Sequence, residues 1–208
     1  MSTLEKAIQY SRNSFANGEF IQRLGSLIEI VTDSKGSLST QVLREYYTKG
    51  LFNIFEELGI KSKIIDNPIN DKPPFLIGTR IESPEYKTIL FYGHGDTVPL
   101  QKGDWYEGIN PSELKVIGDK IYGRGIADNK GQHFINLMAL LSVLKTKKKL
   151  GFNLKLIFEM GEEIGSPGLF ELCELYKEDL KSDVLIASDG PRVSVEVPTI
   201  FLGSRGAV

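Results

Sequence analysis

The sequence predicts an α/β chain built on a mostly parallel sheet covered by helices. Short apolar runs alternate with segments of helical periodicity in the order strand, helix, strand, helix, strand, and parallel neighbours need crossover connections of that kind. The apolar runs are short and bounded by polar residues, as buried strands are. Three of them stop at an acid or an imidazole, and in an open α/β sheet ligands bind beyond the carboxyl ends of the strands.

Along the chain, Leu24, Leu27, Ile28 and Val31 recur at helical spacing, as do Leu51, Ile54, Phe55 and Leu58, so two amphipathic helices are expected to open the fold. Lys63 to Ile65 and Phe75 to Ile81 read as strands around the turn-rich Asn67–Pro74. Thr88 to Tyr92 is a third strand, and a polar loop containing Trp105 and Pro111 follows. Phe134, Leu137, Met138 and Leu141 mark a helix that ends near Lys147, Lys148 and Lys149, where cations meet the negative end of the dipole. Leu154 to Phe158 is a strand, Leu169, Leu172, Cys173 and Tyr176 share the apolar face of a helix, and Val184 to Ala187 is the last strand.

Composition narrows the function classes. With 25 Lys+Arg against 27 Asp+Glu in 208 residues, the chain has a formal charge of −2 and no positive field for a nucleic-acid backbone. The length suits one domain with a real core. The longest apolar stretch, Phe134–Leu144, falls short of the ~18 residues that span a bilayer, so no membrane span is expected. Glu5 and Lys6 interrupt any secretory h-region. The single cysteine, Cys173, fits a reducing cytoplasm and reads as packing, not as a nucleophile.

The strand endings are His94 with Asp96, Glu162 with Glu163, and Asp189, and the loop before the long helix adds Asp128. Crowded carboxylates repel, and a divalent cation resolves that repulsion. One imidazole with several acids suits zinc, and also manganese or cobalt, and the number of acids leaves room for a second ion. Asp96 follows His94 by two residues and shares its face in extended geometry, so Asp96 is expected to accept the other ring N–H of His94. Glu162 and Glu163 are adjacent and would point apart in an extended segment, one to the metal and one to the attacking water. An unpatterned histidine is ordinarily a hydrogen-bonded core residue, and His133 is read that way. The glycines at 123, 125 and 131 match no phosphate-binding motif.

GHGDTVP at Gly93–Pro99, GRGIADNKG at Gly123–Gly131, MGEEIGSPG at Met160–Gly168 and SDGP at Ser188–Pro191, with PTIFLGSRG at Pro198–Gly206, occur in order. Together they resemble the co-catalytic zinc peptidase family that includes aminoacylases, acetylornithine deacetylase, succinyl-diaminopimelate desuccinylase, glutamate carboxypeptidase and dipeptidases. The resemblance implies that Asp128 bridges two metals, that His94 and Asp189 complete one site, and that Glu163 binds the other. It also implies Asp96 as the partner of His94, Glu162 as general base, and a cis peptide between Asp128 and Asn129. The family takes one further histidine ligand from beyond a lid domain, whereas this chain holds only His94 and His133. Residues 1–202 are therefore expected to be the N-terminal part of a catalytic domain and 203–208 the start of a lid or dimerisation domain. The first ion would bind well and the second weakly, and this piece alone would turn over poorly.

The expected function is metal-dependent hydrolysis of a peptide or N-acyl amino acid amide bond, with a metal-activated water and Glu162 as base. A catalytically silent relative serving binding or assembly is the alternative, and a magnesium phosphoesterase is weakened by His94 and by the missing phosphate loop. The implied partners are a small peptide or N-acyl amino acid, and a second copy of the full-length protein through the lid.

Overall fold

The computed structural model describes residues 1–35, 40–106, 108–194, 196–197 and 199–202. The segment expected to begin a lid, 203–208, and Pro198 of the last motif lie outside the described residues. Helix α1 (Thr3–Ala16) starts with a capping box: the Ser2 hydroxyl accepts the Glu5 N–H and the Glu5 carboxylate accepts the Ser2 N–H. Periodicity missed this helix because it is largely polar and buries only Ala7 and Ser14. In α2 (Glu19–Glu29) the expected Leu24, Leu27 and Ile28 are buried. The second expected helix is longer and irregular: α3 (Thr40–Glu45) runs through a π-helical turn (Tyr46–Leu51) into α4 (Phe52–Glu57). A Cβ at Gly50, inside that turn, would meet the Leu27 side chain at 2.8 Å, so glycine lets α2 pack closely there.

The remaining elements are β1 (Lys61–Ile65), β2 (Phe75–Arg80), β3 (Thr88–His94), the short hairpin β4 (Lys115–Ile117) and β5 (Lys120–Tyr122), α5 (Lys130–Lys147), β6 (Asn153–Glu159), α6 (Leu169–Leu175), α7 (Lys177–Leu180) and β7 (Val184–Ala187). The hairpin falls in what the sequence presented as a loop. The main sheet has the order β1-β2-β6-β3-β7. β6, β3 and β7 run parallel, while β2 is antiparallel to both β1 and β6. Four of the five strands therefore point the same way, and their carboxyl ends form one rim.

Side chains alternate across the sheet as the pleat requires. Leu76, Leu154, Leu156 and Phe158 join the larger core with α2, α4 and α5, whereas Phe75, Ile77 and Ile157 pack with Leu172 and Leu180 of α6 and α7. Helix α5 lies between the sheet and α1 and α2, which explains why Leu137, Met138, Leu140, Leu141 and Leu144 are all buried. Cys173, expected to pack, is exposed; Leu172 takes the buried position instead.

The opposite rim is tied by polar side chains. The Asn153 carboxamide accepts the N–H groups of Glu82 and Ser83 and donates to the Ser83 and Tyr86 carbonyls. The Glu82 carboxylate accepts the Leu150 and Gly151 N–H groups, and Asp183 accepts the Thr88 N–H. Among the described residues no helix is long and apolar enough to cross a membrane.

Candidate metal centre

His94 ends β3 with its side chain fully buried. Gly95 after it has room for no side chain, since a Cβ would stand 2.5 Å from the Tyr46 ring and 2.8 Å from the Met160 sulfur. The His94 Nε2 faces the rim, 3.0 Å from Asp128 Oδ1, 3.5 Å from Asp189 Oδ2 and 3.9 Å from Glu162 Oε2. Its Nδ1 lies 3.1 Å from the Asp96 carbonyl and 3.3 Å from Asp96 Oδ1. The expected partnership between the two residues is thus shared: the main-chain oxygen of Asp96 meets the ring as closely as its carboxylate does.

The Asp96 carboxylate has a second task. Its Oδ1 accepts the Glu162 N–H at 3.2 Å and its Oδ2 the Glu163 N–H at 3.1 Å. Those amides belong to a 3₁₀ turn, Glu162–Ile164, and not to the extended segment the sequence suggested. A buried carboxylate satisfied by two backbone donors fixes the turn that carries both glutamates.

Asp128 stands in the loop before α5, and the Asp128–Asn129 peptide is cis. A Cβ at Gly131 would collide with the Ile126 carbonyl, so this loop folds tightly back on the helix start. Behind it lies a buried layer that sequence reasoning assigned only in part. His133 is buried as expected, its Nδ1 3.1 Å from Asn129 Oδ1 and its Nε2 2.7 Å from the Tyr46 hydroxyl. The Lys130 ammonium donates to the Leu27 and Ile30 carbonyls and sits 4.9 Å from the Tyr46 ring centroid. Tyr46 and Lys130 gave no local signal, because their partners are distant in sequence. Glu159, at the end of β6, accepts hydroxyl donors from Tyr92 and Ser166 and is 1% exposed.

The acids and the imidazole polarise one another. Burial alone would lower the His94 pKa, but hydrogen bonds to Asp189 and Asp96, and their charges, lift it to about 11. The His94 contact correspondingly holds Asp189 below the usual carboxylate range, with Asn129 adding to it. Burial pushes Glu162 and Glu163 up, the second further raised by Asp128.

Among the described residues, His94, Asp128 and Asp189 each offer a ligand atom within 4.8 Å of the other two. A tetrahedral ion with 2.0–2.2 Å bonds spaces its donors roughly 3.4 Å apart, and the 3.0 and 3.5 Å separations from His94 bracket that value. One imidazole and two carboxylates on a rim lined by further acids is a donor set that fits a borderline divalent cation. Glu163 stands outside this trio, close enough for the Asp128 charge to act on it.

Comparison with known proteins gives the same direction. The family model described as peptidase family M20/M25/M40 matches residues 90–200. A Beta-Ala-His dipeptidase from Rattus norvegicus is 30% identical over 98% of this chain and 43% of its own length. The Cys-Gly metallodipeptidase DUG1 of Candida albicans is 32% identical over 90% of this chain and 41% of its own. The crystal structure of human carnosine dipeptidase 1 superposes with a TM-score of 0.81 at 30% identity, covering 93% of this chain and 42% of that one. The chain spans less than half the length of these relatives.

Proposed function

Because this chain belongs to peptidase family M20/M25/M40, we propose that it carries the metal-binding part of a hydrolase that cleaves the amide bond of a dipeptide or short peptide. An N-acyl amino acid presents the same bond and is the second substrate class. The observation that carries the proposal is the convergence of His94, Asp128 and Asp189 on one point, with Asp96 behind the imidazole and Glu162 in front of it.

His94, Asp128 and Asp189 would hold a divalent ion, with zinc as the first choice and cobalt or manganese as substitutes; Asp128 would be shared with a second ion held by Glu163. When bound, such ions acidify water and polarise a carbonyl. Glu162 is the general base: partly exposed and raised by burial, its carboxylate takes a proton from the attacking water and returns it to the leaving amine. Asp96 keeps the His94 ring in register with the turn that bears Glu162.

Zinc calorimetry separates these roles without reference to turnover. Asp128→Asn is expected to abolish tight binding, whereas Glu162→Gln keeps it. Where dipeptide hydrolysis is measured, Glu162→Gln should lower kcat about 10²- to 10⁴-fold. Tight zinc binding by Asp128→Asn, or unchanged turnover by Glu162→Gln, would overturn the assignment.

A further inference from the structure

Asn129 is fully buried at the N-cap of α5, yet its side chain accepts no backbone N–H of the helix. Asparagine at that position ordinarily accepts an N–H from the first turn. Here the carboxamide is turned to the rim. Its Oδ1 accepts the His94 backbone N–H at 3.3 Å and faces the His133 Nδ1 at 3.1 Å, while its Nδ2 donates to the Ser188 carbonyl at 2.7 Å and, over a longer 3.4 Å, to Gln132 Oε1. One planar group thus bridges the residue that ends β3, the start of α5 and the residue just before Asp189.

We infer that Asn129 is a positioning residue, whose carboxamide sets the spacing between His94 and Asp189. The inference rests on the reading of those two residues as metal donors. Only an amide meets the requirement. The His94 side needs an acceptor and the Ser188 side a donor, and an aspartate would present a carboxylate to the Ser188 carbonyl beside the Asp189 charge. Alanine would leave the His94 N–H and the Ser188 carbonyl without this partner in a buried place.

The test is cobalt(II) titration of the chain and its variants, followed by visible absorption, with urea unfolding alongside. Asn129→Ala and the near-isosteric Asn129→Asp should bind cobalt about 10- to 100-fold more weakly, the range for removing a group that orients a ligand. The absorption band of the bound ion should also change shape, which a loss of stability alone would not produce. Wild-type affinity and an unaltered band in folded variants would overturn the role of Asn129 and leave the metal reading intact. Failure of both variants to fold would make Asn129 a purely structural residue and overturn it too. Absence of saturable cobalt binding by the wild-type chain would instead overturn the metal reading and this inference with it.

Discussion

At the scale of single residues, the two histidines take opposite proton affinities from neighbouring places. The acids around His94 draw a proton onto it, whereas burial, aided by the charges of His94 and Lys130, drives His133 down to about 3. With Nδ1 facing an acceptor oxygen of Asn129, His133 donates from Nδ1 and accepts the Tyr46 hydroxyl at Nε2. Its folded pKa lies below the ordinary 6.5, so between those values the unfolded chain holds a proton that the folded chain lacks. The contribution is complete above pH 6.5 and is lost as pH falls toward 3. At pH 5 the loss is about 2 kcal/mol. His133→Gln should remove that dependence, so the drop in urea-unfolding free energy from pH 7 to pH 5 becomes smaller by about that amount; an equal drop would show that His133 is not held neutral. The candidate donors stood out in the sequence because His94 and Asp189 sit in short motifs at strand ends and Asp128 in a short motif just before α5. Tyr46 and Lys130 did not, nor did the contacts of Asn129 to His94 and Ser188, since these partners lie 35 to 103 positions away.

Among the elements, every strand of the main sheet was readable, because each carries a short apolar run with polar ends, the largely exposed edge strand β7 included. Helix α1 and the β4–β5 hairpin were not, because they bury little and so leave no periodic trace; the π-helical turn shifts the apolar spacing that a regular helix would show. Close backbone approach was equally invisible before folding, and it yields a paired prediction. Gly131→Ala forces a methyl group against the Ile126 carbonyl and should cost about 1–3 kcal/mol, with weaker zinc binding because Asp128 shares the displaced loop. Gly103 has nothing within 4 Å of its virtual Cβ, so Gly103→Ala should stay within about 0.5 kcal/mol of wild type. Guanidinium unfolding of the two variants checks the pair, and equal effects would contradict the packing argument.

For the whole molecule, the single reversed strand β2 leaves the carboxyl ends of the other four on one side. That placement was only partly foreseeable, since the sequence announced parallel neighbours but not which strand would turn back. The candidate donors on that rim come from β3, the loop before α5, the turn after β6 and the loop after β7, so an ion held there would couple segments from across the fold. Zinc at 100 times its dissociation constant should raise the unfolding free energy by about 2.7 kcal/mol. Excess chelator should reverse the corresponding rise in Tm, and a Tm indifferent to both would contradict the coupling.

The far rim, pinned by Asn153, Glu82 and Asp183, has a practical side. Its connections are braced independently of the chemistry, and Glu85 there is exposed. A fluorophore or an immobilisation handle grafted at that spot would sit at the pole away from the donors, so the chain could be tethered to a sensor surface with its acidic face still presented to the bath.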